Sequence, residues 1–362
     1  MLGDVMIEFV LLMGISALFL LLSVYVKVND KVLSGVYIII ASLFAANRDL
    51  SIPDTLAYIQ LFENLNFDFI SMLSNTYMEP GYIALSILVK FIFGNNYKIL
   101  FFIITFFNMF LIKAGVYYFY ESAFNENGAF EQKRNIKYTI PLVLYFMTYG
   151  YVFNFITIRT GIAFSLVFLA ISLYKKSKVK SLFLYVLSIN FHNSALLMLC
   201  SLPFLLAKKQ KKEALYYSWI ALIIPLSVIG YKNVVINLFF TIVNKVSFLA
   251  SRFHAYTNEN VIVDQKGAFI RLAVFIVLGF VGLKSCDNEQ HYYIIKTYLL
   301  GLTIFALFIN LSIVGRIVEL FLVMIFVILA YRLNFKKRKL TYGLVVISYL
   351  LYFVTSNLRV IA

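Results

Sequence analysis

Residues 5–26, VMIEFVLLMGISALFLLLSVYV, form an apolar run in which Glu8 is the only charged side chain. A helix needs about 20 apolar residues to cross the hydrocarbon core of a bilayer, so this run predicts a first transmembrane span. No basic region precedes the run and no small-residue cleavage site follows it, which favours a retained span over a signal peptide. Because Asp4 and Glu8 lie near its start whereas Lys27 and Lys31 follow its end, we expect the N-terminus outside.

The composition of the whole chain supports a membrane protein. Of the 362 residues, 62% are hydrophobic and 14% are charged, whereas soluble domains carry roughly 45–50% apolar and about 25% charged residues. These values exclude a soluble enzyme, a disordered scaffold, a collagen-like fibre and a disulfide-rich secreted domain. Cys200 and Cys286 lie far apart without ligand-like spacing, so neither a disulfide framework nor a zinc site is indicated. The sequence predicts an all-α polytopic membrane protein.

Further apolar stretches predict about ten transmembrane helices in total. They lie at 5–26, 32–46, 98–119, 138–153, 160–174, 214–230, 268–283, 297–310, 317–331 and 341–356. Two more apolar stretches, 79–93 and 181–207, break the alternation of inside and outside, and we interpret each as a re-entrant or broken-helix pair. Such segments are tolerated only where protein or a water-filled cavity satisfies the backbone. Without an internal repeat or linker, residues 1–362 are expected to form one membrane domain with external loops 47–78 and 231–267.

The net charge of +15 is explained by membrane topology, and no nucleic-acid partner is expected. Lys and Arg occur in short clusters between apolar stretches. Six loops between these stretches are expected on the cytoplasmic side, and together they hold 20 Lys/Arg and 7 Asp/Glu. The rest of the chain holds 12 Lys/Arg and 10 Asp/Glu. These loops are 27–31, 121–137, 175–180, 208–213, 284–296 and 332–339. Cytoplasmic loops carry an excess of Lys and Arg, so this asymmetry orients the chain.

Arginines near the predicted outer ends of spans are the first candidates for function. An ionisable group at the centre of a membrane helix costs about 2.5–3.5 kcal/mol, so it calls for a partner or a wet cavity. Guanidinium groups bind phosphate through several fixed donors, so Arg159, Arg271 and Arg316 converging on one external cavity would suit a pyrophosphate-linked lipid. Alternatively, each arginine only snorkels to the headgroups, and Arg316 pairs locally with Glu319 three residues on.

Two acidic residues lie where helices are expected to begin. Ser51, Pro53 and Asp54 form a helix-start pattern that places Asp54 and Tyr58 one turn apart on one face. Glu79 precedes a proline, which holds its backbone extended at the mouth of an apolar segment, where a carboxylate can accept a proton from a sugar hydroxyl. The alternatives are that Asp54 only favours the helix dipole and that Glu79 is a solvated acid.

A histidine lies at the expected turn of the hairpin 181–207. His192 is flanked by Asn190, Asn193 and Ser194 within an otherwise apolar segment. Such a histidine is either a general base and hydrogen-bond donor to a ligand or a satisfied polar tip.

Five short motifs follow one another from about residue 48 to 321. They are Arg48 with PDTLAY at 53–58, MEPGY at 78–82, FNFITIRTGIA at 153–163, NFHNSA at 190–195 and VGRIVELF at 314–321. In this order and spacing they resemble the EpsG-like family of Wzy-type polysaccharide polymerases of bacterial surface-glycan synthesis.

The resemblance implies a GT-C-like membrane glycosyltransferase in the bacterial inner membrane with its active site facing the periplasm. Such a polymerase transfers an undecaprenyl-pyrophosphate-linked glycan to the non-reducing end of another lipid-linked repeat unit. By this analogy Arg159, Arg316 and Arg48 would bind the pyrophosphates, and Glu79 or His192 would activate the acceptor hydroxyl. The sequence offers no clustered carboxylate site, so no metal or cofactor is expected. Membrane lipid and a chain-length regulator are the further expected partners.

Other classes remain open from the residues alone. A flippase or secondary transporter would gather its polar residues at the bilayer midplane and relate its two halves as repeats, whereas these residues gather at the outer boundary. An O-antigen ligase would use nearly the same residues as a polymerase. A membrane O-acetyltransferase is disfavoured, because its histidine would be expected to work with a cytoplasmic acyl donor.

Overall fold

The computed structural model of the chain contains helices and no strand among the residues it describes. Those residues are 2–76, 78–127, 136–206, 213–232, 234, 241, 265–286, 288–311, 318–335, 346–347 and 350–355. They belong to two compact units, the first formed by residues 1–199 and 329–362 and the second by residues 200–328. The helical class predicted from the sequence is confirmed, whereas the number of spans, the GT-C-like arrangement and the single membrane domain stay predictions.

The first unit contains most of the described helices. They are α1 (Leu2–Tyr25), α2 (Asp30–Ala46), α3 (Thr55–Asn64), α4 (Phe69–Asn75), α5 (Pro80–Phe93), α6 (Tyr97–Asn127), α7 (Thr139–Tyr145), a π-helical turn (Phe146–Gly150), α8 (Tyr151–Phe155), α9 (Ile158–Leu173) and α10 (Lys178–Phe191). A 3₁₀ helix, Asn193–Ser201, follows α10. Within this unit α9 packs against α6, α8 and α10, and α10 also packs against α5.

The second unit contains further described helices. They are α11 (Leu202–Leu206), α12 (Glu213–Tyr231), α13 (Gln265–Leu283), α14 (Glu289–Leu307) and α15 (Ile325–Phe335), the last of which continues into the first unit. Within this unit α14 packs against both α12 and α13. In the described part of the chain, three helical stretches are long and apolar enough to cross a membrane: Val5–Tyr25, Tyr97–Phe124 and Glu213–Tyr231.

Several helix bounds differ from those expected from hydropathy. The stretch 79–93 forms the single helix α5, because Pro80 begins it and neither proline nor glycine interrupts it after Gly81. The stretch 47–78, predicted to be an external loop, contains α3 and α4. Helix α14 begins at Glu289 rather than 297, since its polar first turns are buried and Asn288 caps it by accepting the His291 backbone N–H at 2.9 Å. Of the predicted last span, 341–356, only residues 346–347 and 350–355 are described.

One end of the first unit is held together by the loops predicted to face the cytoplasm. The carboxylate of Asp30, at the start of α2, accepts the Ser23 hydroxyl at 3.0 Å and the backbone N–H groups of Tyr138 and Thr139. Asp30 thereby satisfies donors at the start of α7, which the helix itself leaves unpaired. Lys176 and Glu121 form an ion pair beyond the end of α9. The starts of α2 and α7 therefore meet, as do the C-terminal regions of α6 and α9.

Asp30→Ala is expected to lower the free energy of unfolding by about 1–3 kcal/mol, because it leaves part-buried backbone N–H groups without an acceptor. The melting temperature of the detergent-purified protein measures the effect. Asp68→Ala is the matched control, because Asp68 caps α4 at an exposed start where water can replace the carboxylate. Equal melting temperatures for the two variants would contradict the capping role of Asp30.

Candidate functional site

Glu79 lies at the start of α5 and points away from its own helix. Its backbone is extended and Pro80 occupies the first helical position, so the chain begins α5 without a side-chain cap. The carboxylate, which is 7% exposed, instead contacts residues of two other helical regions. The alternative interpretation of Glu79 as a solvated acid is therefore wrong, because the group is buried and has distant partners.

Arg159 is the cationic partner of Glu79. It lies in the first turn of α9, and its Nη1 donates to Oε2 of Glu79 in a close ion pair. The Arg159 side chain is 19% exposed, and its Nε is buried with no hydrogen-bond partner among the described residues. The guanidinium therefore has donor capacity that the ion pair leaves unused.

His192 lies at the break between α10 and the following 3₁₀ helix. Its Nδ1 is 3.5 Å from Oε1 of Glu79 and accepts the backbone N–H of Ser194 at 3.2 Å. Burial lowers the pKa of His192 more than the nearby Glu79 carboxylate raises it, so the ring is neutral at pH 7. Because Nδ1 accepts the Ser194 N–H, the neutral ring carries its proton on Nε2.

Two glycines allow these helical regions to approach closely. A Cβ at Gly81 would lie 2.7 Å from the backbone oxygen of Asn190, at the crossing of α5 and α10. A Cβ at Gly161 would lie 2.2 Å from the backbone oxygen of Phe153, where α9 turns back against α8. The close approach at Gly81 brings the start of α5 to the end of α10.

Tyr58 and Asp54 occupy α3 and its start, as the helix-start pattern predicts. The Cζ atom of Arg159 lies 5.9 Å from the ring centroid of Tyr58, which is buried. Asp54 is exposed and has a φ of 64°, in the left-handed region, where Asp is among the better-tolerated residues. We call Glu79, Arg159, His192 and Tyr58 the Glu79 cluster. The Asp54 backbone oxygen accepts the Tyr58 backbone N–H at 3.1 Å, but no described hydrogen bond or ion pair joins the Asp54 side chain to the cluster.

Arg48 is buried next to the Glu79 cluster and supports the backbone that precedes Arg159. Its Nη1 donates to the backbone oxygens of Asn154 at 3.3 Å and Phe155 at 2.8 Å, and its Cζ lies 3.5 Å from the Phe101 ring centroid. These carbonyls end α8, where a helix lacks internal donors and favours a positive charge. Burial lowers the pKa of Arg48 to about 10, so it remains charged at pH 7. Its Nε and Nη2 are buried without partners among the described residues.

A buried amide pair behind the site was missed in the sequence. Asn108 Nδ2 donates to Oδ1 of Asn154 at 2.9 Å, and Asn154 Nδ2 donates to the Gly150 backbone oxygen at 2.6 Å. The pair joins α6 to the end of the α7–α8 segment, just ahead of Arg159. Asn108 lies within an otherwise apolar predicted span, and this costly placement is the signal that could have identified it.

The three arginines expected to converge are not described together. Arg159 belongs to the Glu79 cluster, Arg271 lies on α13 in the second unit, and Arg316 lies outside the described residues. Within the described ranges, no group of three or more His, Cys, Asp or Glu could hold a metal ion. The structure therefore assembles one arginine, one carboxylate and one imidazole from α9, α5 and the end of α10.

Comparison with known proteins identifies one family. The model of the EpsG family matches residues 31–361, which cover most of the chain and all the residues of the Glu79 cluster. No curated protein and no solved structure matches the chain. The family match confirms the resemblance found in the sequence motifs.

Proposed function

The chain belongs to the EpsG family, and on this premise we propose that it is a membrane glycosyltransferase that polymerises a surface polysaccharide. In the proposed reaction, an undecaprenyl-pyrophosphate-linked glycan is transferred to the non-reducing end of another lipid-linked repeat unit. The observation that carries the proposal is the meeting of Arg159, Glu79 and His192 from three distant parts of the chain. A cation suited to a diphosphate and a proton acceptor suited to a hydroxyl thus lie side by side.

Arg159 is proposed to bind the diphosphate of the donor. Its guanidinium stays charged at all relevant pH values and can contact two oxygens at once. As the bond between the anomeric carbon and the diphosphate oxygen breaks, its electron pair leaves with the diphosphate, and Arg159 stabilises the charge that develops there. Pyrophosphate binding by Arg271 and Arg316 stays a prediction from the sequence.

Glu79 is proposed to accept the proton of the acceptor hydroxyl as its oxygen bonds to the anomeric carbon. His192 is the less suitable base in this geometry, because its Nδ1 already accepts the Ser194 N–H and its Nε2 then carries a proton. The same Nε2–H suits His192 as a hydrogen-bond donor to the substrate. The exposed Asp54 stays a weaker candidate for the base.

The proposed site faces the periplasm, and the direction of the helices supports this placement. Helix α9 begins beside Arg159 and ends just before the lysine cluster at 175–180, and α10 runs back from that cluster to His192. With 16 residues, α9 is about 24 Å long. The Glu79 cluster therefore lies at the opposite helix ends from basic residues that the positive-inside rule assigns to the cytoplasm.

In vitro polymerisation tests the proposed function. The purified protein in lipid nanodiscs would receive a lipid-linked repeat unit, with or without a chelator. We expect a ladder of longer lipid-linked glycans and release of undecaprenyl diphosphate, at equal rates in both samples.

Three other outcomes of this assay would contradict the proposal. Loss of the ladder with chelator would contradict a metal-independent reaction. Transport of the repeat unit without any new glycosidic bond would favour a flippase. Transfer to a lipid A core without chain extension would favour a ligase.

A further inference from the structure

The Glu79 carboxylate accepts hydrogen bonds from a set of N–H donors that resembles an anion-binding site. Oε2 accepts from Nη1 of Arg159, and Oε1 accepts the backbone N–H of Asn193 at 3.4 Å. Asn193 begins the nine-residue 3₁₀ helix, so its N–H is one of the donors that a helix leaves unpaired at its start. The carboxylate is almost fully withdrawn from solvent between these two donors.

The same donors are those that a phosphate group prefers. Guanidinium groups and N–H groups at helix starts both bind phosphate oxygens. The pair with Glu79 leaves the buried Nε of Arg159 without a partner among the described residues. A phosphate group could use this donor together with Nη2 of the same guanidinium, because the Nε–H and one Nη2–H point in parallel and suit a two-point contact with two phosphate oxygens.

From this arrangement we propose that the Glu79 carboxylate holds the place of the substrate diphosphate until the donor binds. The incoming diphosphate replaces Glu79 as the acceptor of the hydrogen bonds from Arg159 and the Asn193 N–H. The Glu79 side chain then moves toward the acceptor hydroxyl. We call this replacement the exchange. This exchange rests on the proposed function, since it assigns a binding order to the same site. Donor binding then precedes release of the base, so Glu79 becomes free only when a diphosphate occupies the site.

The exchange makes an unusual prediction for Glu79→Gln. A neutral amide competes less well than a carboxylate for Arg159, so we expect the diphosphate to bind more tightly to the variant although polymerisation falls. Loss of one competing hydrogen bond to a charged group corresponds to a factor of about 10–150 in affinity. Isothermal titration with farnesyl diphosphate in detergent should therefore give a dissociation constant lower than the wild-type value by a factor in this range.

A matched variant controls for the change in net charge. Glu63→Gln removes one negative charge from an exposed position of α3, and we expect it to leave the farnesyl diphosphate affinity unchanged. Equal or weaker binding by Glu79→Gln, or an equal gain in Glu63→Gln, would overturn the exchange.

A measurement on the wild-type protein covers the case in which Glu79→Gln does not fold. Farnesyl diphosphate should increase carbodiimide labelling of Glu79 several-fold, measured by mass spectrometry, because the displaced carboxylate becomes accessible. Unchanged labelling at saturating farnesyl diphosphate would overturn the proposal.

Failure of the exchange and failure of the proposed function are separable through Arg159→Ala. If Arg159→Ala abolishes farnesyl diphosphate binding but Glu79→Gln does not strengthen it, the exchange is wrong, whereas diphosphate binding by Arg159 is supported. If Arg159→Ala binds farnesyl diphosphate as the wild type does, the diphosphate site itself is wrong, and the exchange falls with it.

Discussion

Arg159→Lys is expected to reduce polymer formation by about 100- to 1,000-fold, the loss typical of removing one donor to a developing negative charge. Lysine keeps the positive charge, but its ammonium is a point charge that cannot reproduce a two-point contact with a phosphate group. The variant should fold and enter the membrane, because a lysine can still pair with Glu79. The yield of the glycan ladder from the purified protein measures the effect.

Arg332→Lys is the matched control for this substitution. Arg332 lies in the last turn of α15, within a basic cluster predicted to orient the chain, and that role needs only a positive charge. We expect it to keep the wild-type ladder. Full activity of Arg159→Lys would contradict a diphosphate contact by the guanidinium.

Gly161→Ala is expected to lower both stability and activity, because no side chain fits between α8 and α9 at this position. The added Cβ would lie 2.2 Å from the Phe153 oxygen and 2.8 Å from Nδ2 of Asn108. Overpacking of this kind typically costs about 1–3 kcal/mol, and here the backbone must move directly beside Arg159. We therefore expect both a lower melting temperature in detergent and a lower polymerisation rate than those of the wild type.

Gly14→Ala provides the comparison for a glycine without a packing role. Nothing lies within 4 Å of the Cβ that this change adds to α1, and alanine in a helix interior is favoured over glycine by roughly 0.5–1 kcal/mol. Its melting temperature should therefore match or exceed that of the wild type. If Gly161→Ala behaves in the same way, the close approach of α8 and α9 does not position the site.

Local sequence signals predicted some of the helix boundaries at the site. The proline after Glu79 marked the start of α5, although the re-entrant or broken helix expected at 79–93 is a single helix, and the turn expected at His192 marks the end of α10. The expected boundary between 153 and 160 corresponds to the turn between α8 and α9. These features depend on backbone preferences of a few neighbouring residues, which a sequence displays directly.

The partnerships across the site could not be predicted in the same way. Glu79 and Arg159 are 80 residues apart, and only the packing of α5, α9 and α10 makes them neighbours. The Asn193 donor is a backbone N–H group, so the residue type at this position does not predict it. Arg48 was predicted to bind pyrophosphate, yet its Nη1 caps carbonyls more than 100 residues away. That diphosphate role stays a prediction, and it would use Nε and Nη2, which have no hydrogen-bond partner among the described residues.

Polarity also misled the prediction of one helix start. Residues 289–296, EQHYYIIK, were expected to lie in an inside loop because they include charged and amide side chains. In the structure they form the first turns of α14, with Gln290, His291 and Lys296 buried. Hydropathy averages cannot distinguish a polar loop from a helix whose polar residues are buried by packing.

The most direct test of the central claim is an experimental structure of the protein with bound undecaprenyl diphosphate. We expect phosphate oxygens at about 2.7–2.9 Å from the guanidinium nitrogens of Arg159, the usual length of such charge-assisted hydrogen bonds. A diphosphate bound elsewhere, with Arg159 still paired to Glu79, would contradict the claim.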